Sequence, residues 1–215
     1  MLKKKSSLMY KGMKIELHAD VYEPAEDTFL LLKHLLCRPK DHVLEIGTGC
    51  GIIALHCAQY GCQVVSSDIN PFAIKLARKN FQKNKDLLQG SIELRKGNLF
   101  SVVHKNEVFN DIIFNPPYLP TTEHEKLKGW LDAAFNGGAT GLTIIQKFLS
   151  QVKHYLAKKG QVYFLYSSLA KKSLFEQYLK QSGLYYTSIA HQHFESETIH
   201  VYLLAHESDT LKTKL

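Results

Sequence analysis

The stretch that decides the fold is "HVLEIGTGCG" at residues 42–51, where an apolar run ends in three alternating glycines. The apolar run is typical of a buried strand, and the glycines suit a tight turn into a helix. The helix "GIIALHCAQY" (51–60) follows, and "QVVSSD" (63–68) is predicted to be the next strand. A strand, a helix and a second strand in this order predict a parallel βαβ unit.

Apolar runs and helical patterns keep alternating toward the C-terminus. "TGLTIIQKFLSQVKHYLAKKG" (140–160) is predicted to be one long amphipathic helix closed by Gly160. The last two strands are joined only by "ESE" (195–197), a link too short for a parallel crossover. The sequence therefore predicts an α/β fold, with a seven-stranded, mostly parallel, doubly wound sheet and one antiparallel strand.

Three segments are expected along the 215 residues. Residues 1–40 are predicted to be an N-terminal extension with a basic arm, a small hairpin and a lid helix. Residues 41–206 form the main domain, and 207–215 a C-terminal tail. The net charge is +7, and lysines near the N-terminus contribute much of it. A solvated basic arm and an arm that touches RNA or a ribosomal surface both fit this charge.

Cysteine usage and hydropathy indicate the compartment. The cysteines are Cys37, Cys50, Cys57 and Cys62. They form no C-x-x-C pair and no zinc-ligand spacing, so we expect reduced thiols. The basic N-terminus lacks the apolar segment of a signal peptide, and no apolar run reaches the roughly 18 residues that a membrane span needs. We therefore expect a cytoplasmic protein without membrane association.

The glycine-rich turn is the expected ligand site, because ligands bind beyond the carboxyl ends of parallel strands. A dinucleotide pattern needs a small residue at position 52, and Ile52 stands there. Glu45 would repel a pyrophosphate but suits a cation, and Asp68 at the next strand end can accept ribose hydroxyls. S-adenosylmethionine carries a sulfonium and an ammonium but no phosphate. We therefore predict this cofactor, held at Glu45, Gly47, Gly49, Gly51 and Asp68.

The third strand is followed by "KGNLF" (96–100), which places Asn98 at the same edge of the sheet. Its amide can bind an adenine ring. A strand-ending asparagine also stabilises turns without any ligand. The sequence leaves both interpretations open.

The fourth strand ends in "DIIFNPPYLP" (111–120), where two prolines stop the sheet ladder and stiffen the turn. A planar amide or exocyclic amino nitrogen is a poor nucleophile, because its lone pair is delocalised. The Asn115 oxygen and the Pro116 carbonyl can hold its two N–H groups, with Tyr118 packed on its plane. We predict that Asn115, Pro116 and Tyr118 are catalytic and that these residues and Pro117 bind the substrate.

At these motifs the chain resembles a known family. "NPPY" after an E-x-G-x-G-x-G turn is similar to class I amino-methyltransferases, which modify adenine N6 or glutamine N5. "VYEPAEDTFLLL" (21–32) narrows the resemblance to the HemK-related glutamine methyltransferases of the archaeal and eukaryotic type. Similarity continues through "DINP", "LDAAFNGGATG" and "ETIHVYLL", so it covers residues 20 to 205.

The resemblance implies a Rossmann-like enzyme that methylates the glutamine of the Gly-Gly-Gln motif in a class I translation termination factor. It also implies a small zinc-binding activator subunit as partner. Carried over by motif, the cofactor residues are Thr28, Glu45, Gly47, Asp68, Asn98, Leu99 and Asn115. One departure concerns Asn98, where the family commonly has aspartate. Bacterial relatives also carry an N-terminal helical domain, for which residues 1–40 are too short.

Other functions fit parts of the pattern. A nucleic-acid adenine N6-methyltransferase would use the same clamp on a flipped or single-stranded base, and the basic N-terminus favours it. A non-catalytic binding module would have no need for Asn115, and a lysine ammonium would need deprotonation rather than a planar clamp. His191, His193 and His200 are interpreted as ordinary strand residues, so no metal site is predicted.

Overall fold

A computed structural model describes residues 6–212, with the side chains of Glu123 and Lys212 excepted. The lysines of the expected basic arm at residues 3–5 lie outside the described residues. The strands are β1 (Ser7–Tyr10), β2 (Met13–Glu16), β3 (His42–Ile46), β4 (Gln63–Asp68), β5 (Ser91–Lys96), β6 (Phe109–Phe114), β7 (Leu156–Ser167), β8 (Tyr185–His193) and β9 (Thr198–Ala205). The α-helices are α1 (Glu26–His34), α2 (Ile52–Gln59), α3 (Pro71–Asn84), α4 (Asp132–Phe135), α5 (Thr143–Leu149), α6 (Lys172–Gln181) and α7 (Ser208–Lys212).

Seven strands form one sheet in the order β5-β4-β3-β6-β7-β9-β8. Strands β3 to β7 are parallel to one another, and β9 is antiparallel to both of its neighbours. The predicted doubly wound sheet with one antiparallel strand is therefore confirmed. The carboxyl ends of β3, β4, β5 and β6 meet at one edge, where the loops that follow them come together.

Both faces of the sheet are buried, because successive residues of the central strands point to opposite sides. Val43 belongs to a core shared with α1, α2 and α3, whereas Leu44 belongs to a core shared with α5 and α6. None of the helices among residues 6–212 is both long enough and apolar enough to cross a membrane.

The predicted helix over residues 140–160 is wrong in its second half. Helix α5 ends at Leu149, a single 3-10 turn covers Val152–His154, and β7 begins at Leu156. The reason is a tertiary contact, since the Tyr155 carbonyl accepts a hydrogen bond from the Phe109 backbone N–H. If the helix continued through Tyr155, Phe109 at the start of β6 would lose this hydrogen bond and its pairing with Leu156.

The N-terminal extension is fixed to the main sheet layer rather than standing apart. Strand β2 is bonded along its edge to α3, where Asn80 and Asn84 each accept from a backbone N–H and donate to a backbone carbonyl. Helix α1 lies on the β7, β8 and β9 side of the sheet. The segment expected to be a tail contains α7, which packs on the same strands and buries Leu211.

Candidate functional site

A cavity of about 570 Å³ opens at the carboxyl edge of the sheet. Its wall combines the turn after β3, the ends of β4 and β5, the segment after β6, and residues from the start of α1 and from α4. The site residues predicted from sequence that line it are Thr28, Gly47, Gly49, Asp68, Asn98, Leu99, Asn115, Pro116, Pro117 and Tyr118. Segments far apart in the chain thus converge on one volume.

The glycine-rich turn is closed by the neighbouring strand. Gly47 and Gly49 have φ angles of +75° and +54°, a region that side chains avoid. The Gly49 N–H donates to Asp68 Oδ2 at 2.9 Å, and the Asn70 N–H donates to Oδ1 at 2.8 Å. Burial raises the pKa of Asp68. Asp68 also lines the cavity, where its carboxylate can accept hydrogen bonds from a ligand.

Gly51 and Glu45 are not part of the cavity wall. A Cβ at Gly51 would lie 2.6 Å from Phe81 Cε1, so this glycine permits close packing of α2 against α3. Glu45 lies beneath the turn and is 1% exposed. Its Oε2 accepts from the hydroxyls of Thr48 at 2.7 Å and Ser66 at 2.6 Å. The structure thus places Glu45 directly behind the turn, and its contact with a cofactor stays a prediction.

Glu45 is also a buried acid, and within the described part of the chain its Oε1 has no hydrogen-bond partner. Burial raises its pKa from 4.5 to about 7, against the lowering effect of the two hydroxyls. The folded protein therefore binds this proton more tightly than the unfolded chain does. The free energy of unfolding from this group falls as pH rises from about 4.5 to about 7, by about 3 kcal/mol in all.

We expect Glu45→Gln to remove this pH dependence, because glutamine does not titrate. Urea unfolding of the wild type and the variant between pH 4.5 and 8 measures it. As pH rises across this range, the unfolding free energy of the wild type should fall relative to that of the variant by about 3 kcal/mol. Parallel curves for the two proteins would show that Glu45 does not titrate with a raised pKa.

The loop after β5 contributes the wall opposite the glycine turn. Asn98 is exposed at the cavity, and its backbone N–H donates to Ser101 Oγ at 2.9 Å. Leu99 follows with a φ of +48°, a conformation that costs a non-glycine residue free energy. Strain of this kind persists where the surrounding structure enforces it, and it often marks functional sites.

Asp27, which the sequence did not single out, joins the two halves of the site. It is buried in the first turn of α1. Its Oδ1 accepts from the Thr28 backbone N–H and hydroxyl and from the Tyr22 hydroxyl at 2.7 Å. Its Oδ2 accepts from Asn115 Nδ2 at 3.0 Å and from the Tyr118 hydroxyl at 3.2 Å. One carboxylate therefore positions two residues of the Asn-Pro-Pro-Tyr segment.

The orientation of the Asn115 amide follows from this contact. A carboxylate only accepts hydrogen bonds, so the NH₂ end of Asn115 must face Asp27. The other end, Oδ1, is buried and has no hydrogen-bond partner among residues 6–212. Because Asn115 lines the cavity, the site holds a desolvated acceptor that a ligand N–H can satisfy.

The two tyrosines bonded to Asp27 remain protonated donors. Burial, followed by the Asp27 charge, raises the pKa of both Tyr22 and Tyr118 well above the usual range. Tyr118 therefore does not act as a base at neutral pH. Its ring, half-buried on the cavity wall, offers a flat surface beside Asn115.

The mouth of the cavity is formed by the segment around α4. Trp130 and Phe135 both line it, and Phe135 meets Tyr22 edge to face at 5.4 Å between ring centroids. Leu119 bonds to this segment, since its N–H donates to the Phe135 carbonyl and its carbonyl accepts from Gly137 N–H. Trp130 and Phe135 therefore lie at the cavity, and neither is buried in the core.

Charge on the wall is one-sided. Its ionisable carboxylates come from Asp27, Asp68, Asp132 and Glu197, and it contains no lysine or arginine among residues 6–212. The net charge of the chain is +7, so its basic side chains lie elsewhere than on this wall. The wall suits a ligand that carries positive charge and N–H donors, and it opposes phosphate groups.

Sequence comparison adds independent information. Residues 22–130 match the model of the family described as methyltransferase small domain. The human protein named methyltransferase HEMK2 is 31% identical over 192 residues, which cover 85% of this chain and 88% of that one. The chain belongs to the HemK-type methyltransferases. It is an S-adenosylmethionine-dependent enzyme, as its family indicates.

Two further proteins are similar to this methyltransferase. The putative protein N5-glutamine methyltransferase MJ0928 of Methanocaldococcus jannaschii is 45% identical over 160 residues, 74% of this chain and 78% of that protein. Mtq2, in the Mtq2–Trm112 complex of E. cuniculi, has a similar fold with a TM-score of 0.67 and 23% identity. The match covers 87% of this methyltransferase and 99% of that chain.

The residues present fit the cofactor of this family. The turn after β3 brings two left-handed glycines without side chains to the cavity wall, and Asp68 offers oxygens for hydroxyl groups. The wall presents carboxylates without cations, as a sulfonium and an ammonium require. Most of these positions follow from the sequence, and Asp27 is the one that it does not single out.

A signal for Asp27 was present in "VYEPAEDTFLLL" (21–32). Asp27, Leu30 and Leu31 share one stripe of α1 at helical spacing, and that stripe is buried. A carboxylate on a buried stripe must be paired or hydrogen-bonded, which points to a structural or functional contact. The sequence does not identify the partners, because they lie 88 and 91 residues away.

Proposed function

We propose that this enzyme methylates the side-chain amide nitrogen of a glutamine in a protein, and that the protein is a class I translation termination factor. The observation that carries the proposal is the buried, unpartnered Oδ1 of Asn115 on the cavity wall. The relative MJ0928 is named a protein N5-glutamine methyltransferase, and the Mtq2–Trm112 complex is described as methylating the termination factor eRF1. The target would be the glutamine of the Gly-Gly-Gln motif.

A planar NH₂ group fits the arrangement at Asn115. Oδ1 accepts one N–H, the Pro116 carbonyl is positioned in sequence to accept the other, and the Tyr118 ring packs on the amide plane. Two fixed acceptors draw the nitrogen toward a tetrahedral form, so that its lone pair becomes available. Pro117 keeps the segment rigid, so the two acceptors stay aligned with the substrate nitrogen.

The proposed cofactor residues are those of the wall: Thr28, Gly47, Gly49, Asp68, Asn98, Leu99 and Asn115. S-adenosylmethionine, when bound, supplies a methyl group on a sulfonium. The amide nitrogen gains this methyl group and loses one proton, for which the tyrosines are poor acceptors. Water is therefore the proposed proton acceptor. Glu45 and Gly51, which lie behind the turn, complete the proposed cofactor set, Gly51 through the packing of α2 against α3.

Adenine N6 methylation would use the same planar clamp but is less well served by this cavity. A base brings its phosphates close to the wall, and four carboxylates without a cation repel them. A polypeptide glutamine brings N–H donors and no negative charge. The amide is therefore the substrate that this wall favours.

Partner and compartment are part of the proposal. We propose a small zinc-binding activator subunit of the Trm112 type, because Mtq2 is described in complex with Trm112. The four free cysteines suit the reducing cytoplasm, where translation terminates. Residues 1–40 would serve as a wall of the site, since they supply Asp27 and Thr28, with 41–206 as the methyltransferase domain and 207–215 as its C-terminal segment.

A labelled methyl-transfer assay tests the substrate. Labelled S-adenosylmethionine is incubated with the enzyme, with and without the activator, and with recombinant termination factor, its Gln→Asn variant in Gly-Gly-Gln, total RNA or total DNA. We expect label on the factor alone, and none on the Gln→Asn variant. Label on nucleic acid but not on the factor would overturn the proposal, and activity that needs no activator would remove the partner from it.

A further inference from the structure

A second cavity, of about 590 Å³, lies away from the active site, between the β1–β2 turn, the outer face of α1 and the end of α2. We name it the α1–α2 groove. Its lining residues are Tyr10, Lys11, Phe29, Leu32, Lys33, Leu35, Leu36, Cys37, His56 and Tyr60. The volume lies in the range typical of ligand-binding clefts, and it is close to the 570 Å³ of the cavity at the active site.

The groove exposes large apolar side chains that a solvated surface does not need. Phe29 is 39% exposed, Leu36 47% and Tyr60 43%. Phe29 and Lys33, four residues apart, are the exposed positions on the outer face of α1, and Leu36 follows two residues after this helix ends at His34. The rest of α1 is largely buried, so Phe29 and Leu36 carry the apolar surface of this segment to the outside. An exposed apolar cluster that lines a cleft often marks a protein interaction site.

The polar atoms of the groove are already paired with one another. The Tyr10 hydroxyl is 3.0 Å from His56 Nδ1, and Lys11 Nζ donates to the Tyr60 hydroxyl at 2.9 Å. Burial lowers the pKa of His56 to about 4, so that this ring is neutral at pH 7. The floor therefore offers contact area and satisfied polar groups, which suits an apolar side chain.

The rim carries two cations. Lys11 Nζ lies 4.9 Å from the centroid of the Tyr60 ring, and Lys33 is exposed on the outer face of α1. Within residues 6–212, no carboxylate forms a salt bridge with either lysine. Acidic groups on a ligand would therefore meet unpaired positive charge beside an apolar pocket.

These charges also limit the occupant. A second copy of this chain, placed by two-fold symmetry, would bring the same lysines face to face. A nucleic acid would match the charge but would not fill an apolar pocket lined by Phe29 and Leu36. We propose that the α1–α2 groove docks a segment of a partner protein that presents an aliphatic or aromatic side chain next to acidic residues.

The groove and the active site use different faces of α1. Asp27 and Thr28 face the active-site cavity, whereas Phe29 and Lys33 face the groove. A docked segment therefore leaves the active site open, and substrate and partner can bind at the same time. The inference stands without the proposed substrate, since it uses none of the residues assigned to catalysis.

A peptide selection on the full chain tests this proposal. A displayed library of random peptides is selected on the wild type, and the variant Leu36→Glu is used to remove peptides that bind elsewhere. The matched control is Leu87→Glu, because Leu87 is 44% exposed, compared with 47% for Leu36, and lies outside the groove. Thermal unfolding and cofactor binding confirm that both variants fold.

We expect the enriched peptides to share an aliphatic or aromatic residue flanked by Asp or Glu. A synthetic peptide of that sequence should bind wild type and Leu87→Glu equally and Leu36→Glu at least about 10-fold more weakly. Its binding should also weaken when both Lys11 and Lys33 are replaced by glutamate. Absence of enrichment, enrichment of basic peptides, or equal binding to Leu36→Glu would overturn the proposal.

Discussion

Asn115→Ala is expected to reduce the rate of methyl transfer by about 100-fold to 1,000-fold, as loss of a preorganised hydrogen-bonding group does in other enzymes. The variant loses Oδ1, the buried acceptor that has no other partner. It also releases Asp27 Oδ2 from one of its two donors. The single-turnover rate at saturating cofactor measures the effect, because it separates the chemical step from binding.

Asn115→Asp is the informative companion variant. Aspartate keeps an acceptor oxygen in nearly the same volume, but it cannot donate to Asp27, which lies 3.0 Å from the amide nitrogen. Two carboxylates at this distance do not both ionise, so one of them takes up a proton and the local hydrogen bonds rearrange. We expect activity no better than that of the alanine variant. If Asn115→Ala transferred methyl groups at the wild-type rate, Asn115 would not hold the substrate.

The sheet was predictable because its signals are local. Each central strand is a short apolar run, and each turn that follows carries glycine, proline or asparagine, so the order of the elements can be read directly. Residues 150–160 differ because Val152, Tyr155 and Leu156 have helical spacing, whereas the structure places a short 3-10 turn and the start of β7 there. The strand is favoured by a contact with Phe109, which lies far away in sequence and donates its backbone N–H to the Tyr155 carbonyl.

The candidate site was predictable only in part. Gly47, Asp68 and Asn115 could be found because each follows a strand whose carboxyl end meets the same edge. Glu45 also lies near the carboxyl end of a strand, so the sequence assigns it the same role as these three residues. The structure nevertheless places it beneath the turn, and strand alternation alone does not tell the cavity side from the buried side. Asp27 required a contact between α1 and the end of β6, which no local pattern encodes.

Asp27→Asn is expected to be nearly as damaging as Asn115→Ala, although the side chain keeps its size. The Thr28 backbone N–H donates to Oδ1, and it has no acceptor to offer, so the oxygen of the new amide stays there. The NH₂ end of residue 27 then faces the NH₂ end of Asn115. The Asn115 amide turns over in response, and it presents a donor to the substrate where it previously presented an acceptor.

A double-mutant cycle distinguishes this positioning role from general damage. If Asp27 acts through Asn115, the variant Asp27→Asn/Asn115→Ala should be no slower than Asn115→Ala alone, since the second change removes the group that the first one misorients. If the double variant instead lost activity by the product of the two single-variant factors, Asp27 would act independently of Asn115. A rate restored by more cofactor would show that Asp27 serves cofactor affinity instead. Non-additive losses at saturating cofactor would assign Asp27 as the residue that keeps the Asn115 oxygen directed at the substrate nitrogen.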